Sequence, residues 1–247
     1  MEKLLSSQWA GLYNANKAKK LYDDIRKEKY SSQTEEMLKI VKDNNYKNVC
    51  EIGCGSGQTA VALAIQGINV VALDYQMESL ELVKSIAELA GPLVKGKLEV
   101  VCCDAQKELP FEINQFDAIY HAGLLEHYTK EERINMLSLW KKYSKAMISM
   151  VPNGASVAYR YGKEKMIENG TWSYGKENII YTQTLEFIYA GLTVDEEYTI
   201  GLMNSLNFLD DRNYIKKAMK KLWNEQFLED DCHQGYLLVT RGRKKTD

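Results

Sequence analysis

Seven residues, Glu51-Ile52-Gly53-Cys54-Gly55-Ser56-Gly57, carry the strongest chemical signal in the chain. Three glycines at alternate positions allow backbone angles that a Cβ forbids and let a ligand approach the main chain closely. Between a strand and a helix, such a turn aims backbone N–H groups at a ligand. A pyrophosphate-binding turn reads G-x-G-x-x-G, whereas here the glycines fall at 53, 55 and 57 and position 58 is Gln58. The Glu51 carboxylate just ahead of the turn would repel a pyrophosphate and suits a ligand with an ammonium or other cationic group. Two more acids stand downstream, Asp74, 21 residues after Gly53, and Asp104. Asp74 is placed to accept hydrogen bonds from ribose hydroxyls, and Asp104 with Ala105 to read an adenine edge. Any one of these acids alone reads as a turn cap. All three at successive strand ends beside this turn describe a site for a nucleoside with a cationic arm.

The elements that must hold these groups follow from the patterning. Asn48 to Ile52 is a short apolar strand running into the glycine turn, and Thr59 to Ile65 continues as a helix. Strands are expected over 69–73, closed by Asp74, over 97–103, closed by Asp104, and over 116–120 and 147–151. Helical periodicity over 77–89, and a Thr129/Glu132 capping box opening a helix to about Lys145, lie between them. Strands alternating with helices imply a mostly parallel, doubly wound α/β sheet, which binds ligands at its strand C-terminal ends. Residues 1–45 read as a charged helical cap, with a capping box at Ser32 and Glu35, ahead of a core over 46–153. Residues 154–247 begin with an irregular excursion over 155–178, then a helix from Thr184, a strand over 192–200, a mainly helical stretch over 202–229 and a final strand over 235–240. In that stretch Ile215, Met219, Leu222 and Trp223 share a face, with Lys216, Lys217, Lys220 and Lys221 directed largely away. No repeat or linker divides the 247 residues, so one domain is the simplest organisation.

Composition excludes several classes. Apolar residues make up 45% and charged residues 27%, the balance of a globular chain and not of a disordered one. A net charge of −2 offers no general attraction for nucleic acid. The apolar runs are too short to span a bilayer and residues 1–5 form no signal-peptide core, so a cytoplasmic protein is expected. Five cysteines, an odd number with none in C-x-x-C spacing, argue against a disulfide framework and against zinc.

The segments Glu51–Gly57, Val71-Ala72-Leu73-Asp74, Cys103-Asp104-Ala105 and Phe116 to His127, in this order and spacing, resemble the class I S-adenosylmethionine-dependent methyltransferases. The resemblance covers residues 47 to about 153 and is specific for the superfamily, not for a substrate. It implies a Rossmann-like sheet of seven strands in the order 3-2-1-4-5-7-6, the last antiparallel. It implies S-adenosylmethionine as cofactor, its methionine part cradled by Glu51, Gly53, Cys54, Gly55 and Gly57. Asp74, with Tyr75 beside it, would hold the ribose, Asp104 and Ala105 the adenine, and His121, leaving the fourth strand, would lie beside the cofactor.

The sulfonium makes the methyl group electrophilic, so positioning and water exclusion supply most of the catalysis, and a base is needed only where the acceptor loses a proton. His127 is the first candidate base and His121 the second. Glu126-His127 is similar to the E-x-x-E-H metal site of some RNA and quinone methyltransferases, but position 123 is Gly123, so no metal is expected. Of the aromatic residues, Trp9, Tyr13, Tyr22 and Tyr30 punctuate the N-terminal helices, and Tyr159, Tyr161, Trp172 and Tyr174 crowd the excursion after the fifth strand. In this superfamily both regions commonly fold over the strand ends, which makes Trp9, Tyr13 and Tyr159 candidates for an acceptor pocket. The expected function is methyl transfer to a small molecule, with no nucleic acid or membrane partner and the oligomeric state open. Nucleic-acid methylation and a silent cofactor-binding module are the alternatives. A nicotinamide oxidoreductase is disfavoured by Glu51 and Gln58.

Overall fold

The computed structural model describes residues 15–224 and 233–245. Seven strands form one sheet: β1 (Asn48–Ile52), β2 (Asn69–Asp74), β3 (Leu98–Cys102), β4 (Phe116–Ala122), β5 (Ser144–Pro152), β6 (Leu192–Ile200) and β7 (Leu237–Lys244). Their order is β3-β2-β1-β4-β5-β7-β6. Pairs among β1 to β5 are parallel, and β7 runs antiparallel between β5 and β6, as the resemblance implied. The central strands are apolar on both faces because helices cover both. Val49, Val70, Ala72, Ala118, Tyr120 and Ile148 point into one core, and Cys50, Ile52, Leu73, Ile119, Met147 and Val151 into the other.

The first core is closed by α1 (Ala15–Arg26), α2 (Ser32–Asp43), α3 (Gln58–Ile65) and α4 (Met77–Ala90), and the second by α5 (Lys130–Trp140) and α7 (Thr184–Tyr189). The Thr129/Glu132 capping box is present and opens α5, which ends at Trp140, short of the expected Lys145, because β5 already begins at Ser144. The cap of α2 is Ser31, one residue before the expected Ser32, and its hydroxyl accepts from the Thr34 amide. Ser32 instead donates to Asn204 Oδ1 at 2.8 Å, and the buried hydroxyls of Thr34 and Thr59 bond at 2.8 Å. The N-terminal cap is thereby fastened to the helix that follows the glycine turn. A bidentate ion pair, Arg133 to Glu186 at 2.9 and 2.5 Å, joins α5 to α7 within the other layer.

Two further expectations change. The excursion after β5 contains a helix, α6 (Val157–Glu168), whose Gly162 lets it approach the Phe208 backbone; a Cβ there would strike the Phe208 carbonyl. Past the short helix α8 (Leu202–Ser205), α9 (Tyr214–Asn224) does not send its lysines uniformly outward. Lys216 is buried, donating to the Leu209 carbonyl at 3.1 Å and to Asp211 at 2.6 Å, whereas Ile215 and Leu222 are exposed. The turn before α9 supplies an acceptor and a counter-ion, and these offset the desolvation of the ammonium. Among the described residues no helix is long and apolar enough to cross a membrane.

Candidate active site

The glycine turn leaves β1 with Gly53, Gly55 and Gly57 at φ +67°, +48° and +67°, the left-handed region that costs other residues energy. The Gly53 and Cys54 amides donate back to the Leu73 carbonyl at 2.8 and 3.0 Å, binding the turn to the end of β2. Leu124, from the loop after β4, packs over Gly53. Gly57 opens α3 and lies against Val83 of α4, where any Cβ would drive into the valine methyl.

Asp74 does more than close a strand. Its Oδ2 accepts from the Gly55 amide at 2.9 Å and its Oδ1 from the Gln76 amide at 3.0 Å. The carboxylate therefore fastens the turn after β1 to the turn after β2, and retains lone pairs for a ligand hydroxyl. It is only 7% exposed, and burial raises its pKa while those amides lower it. Tyr75 beside it is exposed. At the next strand end Asp104 is half-buried, its Oδ1 accepting from Gln106 at 3.0 Å, while the Ala105 carbonyl accepts from Trp140 Nε1 at 2.8 Å.

Glu51 points into the first core beside Tyr120 and is 5% exposed. Burial pushes its carboxyl up to about 8, the Asp74 charge adding to this and the Tyr120 hydroxyl and Ala60 amide pulling down. Tyr120 lies close enough to act on the charge, yet neither its hydroxyl nor Glu51 Oε2 makes a hydrogen bond of good geometry. A buried acid lacking a full set of partners, next to three backbone-exposing glycines, is suited to a cationic group arriving with a ligand. Cys50 and Cys54 are buried, and burial holds both thiols well above their ordinary range, so neither is a nucleophile.

The two histidines part company. His121 is fully buried and does not face the strand-end cleft, contrary to its expected place beside the cofactor. Its ring packs edge-on against Trp140, and its Nε2 bonds Ser149 Oγ at 2.7 Å, which in turn donates to Gln183. Strand alternation directs residue 121 into the layer beneath α5, and burial lowers its pKa to about 3, so it stays neutral and is a poor base. His127 sits in a single helical turn, Leu125–His127, just past β4, with Nδ1 2.9 Å from the Lys176 carbonyl and its side chain mostly covered.

Tyr159, on α6, is also buried and is not open to an acceptor as expected. Its hydroxyl donates to Glu177, and its ring meets Trp172, Phe208 and Tyr236. Lys163 bonds the same Glu177 oxygen at 2.6 Å and lies 4.8 Å from the Trp172 ring centroid. Trp9 and Tyr13 lie outside the described residues. The groups that sequence reasoning missed are Glu177 and Lys163. Both come from the irregular region after β5, where no periodicity signals which side chains turn inward.

Residues 49–146 match a family model described as a methyltransferase domain. The chain is 28% identical over 131 residues to the mitochondrial ubiquinone biosynthesis O-methyltransferase of Schizosaccharomyces pombe, covering 51% of this chain and 43% of that protein. It is 30% identical over 81 residues to the ubiquinone biosynthesis O-methyltransferase of Actinobacillus pleuropneumoniae, covering 33% of this chain and 35% of the relative. The matched stretch thus spans less than half of either curated relative. The magnesium protoporphyrin IX methyltransferase of Synechocystis, solved with bound S-adenosylhomocysteine, superposes with a TM-score of 0.59 at 14% identity, over 86% of this chain and 82% of that one. At that identity the likeness establishes the fold.

Proposed function

We propose that this chain, a member of the class I S-adenosylmethionine-dependent methyltransferase superfamily, transfers the cofactor's methyl group to a small-molecule acceptor. The observation that carries the reading is the bond between the Gly55 amide and Asp74, which locks the glycine turn and the ribose-side carboxylate into one rigid cradle. The parts of that cradle fit the cofactor: glycines at left-handed φ, an under-partnered buried acid at Glu51 for an ammonium, and a carboxylate with lone pairs to spare. Asp104 and Ala105, just past the end of the neighbouring strand β3, would take the adenine.

When bound, S-adenosylmethionine supplies an electrophilic methyl on a sulfonium. The chain's own work is then to bind, orient and exclude water. Glu51 would take the ammonium, Asp74 the ribose diol, and Leu124 the apolar cover over the turn. The whole chain acts as one catalytic unit in this reading, its N-terminal cap and the stretch after β5 bordering the acceptor. His127, covered yet at the ligand edge, is the histidine suited to receive an acceptor proton. The two ubiquinone-pathway relatives support an oxygen acceptor on a small molecule. Four unpaired cysteines among the described residues suit a reducing cytoplasm.

The test has two arms. Calorimetry should show S-adenosylhomocysteine binding and NAD failing to bind. Transfer from methyl-labelled cofactor should then place label in a metabolite extract and not in total RNA or a protein extract. Binding of NAD in place of S-adenosylhomocysteine, or label confined to RNA in a salt-sensitive manner, would overturn the reading.

A further inference from the structure

Beside the cradle, past the end of β4, three chemistry-bearing side chains converge from two separate segments. Glu126 and His127 come from the helical turn after β4, and Glu177 from the loop between α6 and α7. One ligating atom of each lies within 4.8 Å of the other two. The sequence pattern around position 126 lacks the carboxylate that Gly123 replaces. In the folded chain Gly123 borders the Glu126 carboxylate, and Glu177 enters from 51 positions beyond Glu126.

The loop bringing Glu177 is built onto the turn and does not merely lie near it. The Asn178 amide and its Nδ2 both donate to the Glu126 carbonyl, at 2.7 and 2.9 Å, and Nδ2 also donates to the Tyr128 carbonyl at 2.8 Å. The Lys176 carbonyl receives His127 Nδ1 at 2.9 Å. A carbonyl only accepts, so Nδ1 carries a proton, and the ring is held with Nε2 facing Glu126 Oε1, 3.9 Å away. A backbone carbonyl holding one ring nitrogen so that the other faces inward is the usual support of a ligating histidine.

The electron-rich groups exceed the cations available to them. Glu126 is 2% exposed and its Oε2 has no hydrogen-bond partner. Lys163 and the Tyr159 hydroxyl both bond Glu177 Oε2. Arg133, on α5, is committed to Glu186. Two covered carboxylates and an imidazole nitrogen therefore stand around one ammonium, Lys163, whose hydrogen bond to a carboxylate goes to Glu177.

We propose that Glu126, His127 and Glu177 bind one divalent metal ion, with Glu177 replacing the carboxylate absent at position 123. Two carboxylates and one imidazole, with no thiolate, form a donor set for Mg²⁺, Mn²⁺ or Zn²⁺. Three protein ligands leave coordination positions for water or an acceptor oxygen. With Nδ1 on the Lys176 carbonyl and Nε2 on the ion, His127 is then a ligand and no longer a base, so its role as proton acceptor belongs to the metal-free chain.

The experiment is Mn²⁺ titration of the full chain without cofactor, followed by electron paramagnetic resonance and calorimetry, with Mg²⁺ and Zn²⁺ as competitors. The expected result is one saturable site per chain, weakened at least tenfold by Glu177→Gln, by Glu126→Gln and by His127→Ala. Glu164→Gln, on the exposed side of α6, should leave it unchanged. Circular dichroism and S-adenosylhomocysteine binding on the same samples show which variants are folded. The partly exposed His127 serves as the fallback should a glutamate variant unfold. No saturable site at millimolar metal, or a site indifferent to all three substitutions in folded protein, would overturn the proposal. Metal binding without S-adenosylhomocysteine binding would leave it standing while removing the proposed function.

Discussion

Asp74→Ala should weaken both the cofactor and the fold. From sequence alone this acid reads as a strand-end group outside the core, whose loss leaves the fold intact. In the structure it accepts the Gly55 and Gln76 amides at 2.9 and 3.0 Å and is 7% exposed, so alanine strands two donors at once. Hydrogen bonds to a charged group are worth about 1.5–3 kcal/mol each. Burial already penalises this carboxylate, and removing the penalty returns part of that sum. A net loss of about 2–4 kcal/mol follows, or roughly 5–15 °C in melting temperature for a chain of this size. Asp74→Asn keeps one acceptor but turns an amide donor toward the other N–H, so it should fall between the two. Urea denaturation at pH 7 measures the stability of all three proteins, and calorimetry with S-adenosylhomocysteine well below the lowest midpoint measures binding. Affinity should drop by about 10- to 100-fold, the equivalent of the ribose bonds. An unchanged urea midpoint would refute the claim that this carboxylate holds the glycine turn. An unchanged affinity in folded protein would refute its place at the ribose.

Glu51 makes the stability of the ligand-free protein depend on pH. Its carboxyl ionises near 4.5 when unfolded and at about 8 when folded, so its favourable contribution is complete below 4.5 and lost by about 8. Relative to Glu51→Gln, the parent should lose a few kcal/mol across that window, at about 1.4 kcal/mol per unit; parallel urea midpoints between pH 5 and 8 would contradict this. Gly57→Ala combines left-handed strain of about 1–2 kcal/mol with about 1–3 kcal/mol of collision against Val83. Val83→Ala in the same chain should recover the steric share, and a double-mutant cycle showing strict additivity would rule out that contact.

Local pattern carried much of this protein. The glycine turn is legible because only glycine tolerates the φ values found at 53, 55 and 57. The central strands are legible because helices on both faces require apolar runs, and the start of α5 because a Thr/Glu pair three apart satisfies its own helix end. Strand order and the antiparallel β7 followed from the family resemblance, since pairing partners far apart in the chain leave no periodic trace.

What lay beyond the sequence depended on partners brought from a distance. His121 and Glu51 both sit on strands at the ligand end, but the packing of α5 over one face and α3 over the other decided that both point inward. Helix α6 escaped notice because its Gly162 breaks the helical signal, and only the approaching Phe208 backbone explains the glycine. Lys216 looks like a solvated charge until Asp211 and the Leu209 carbonyl are folded onto it. The Glu126–His127–Glu177 cluster joins residues about fifty positions apart through an irregular loop, and the hydrogen bonds of Asn178 and Lys176 are what close that distance. A spacing motif records ligands only when one helix or turn presents them all; here the third member of the cluster, Glu177, arrives by tertiary contact, which no local pattern encodes.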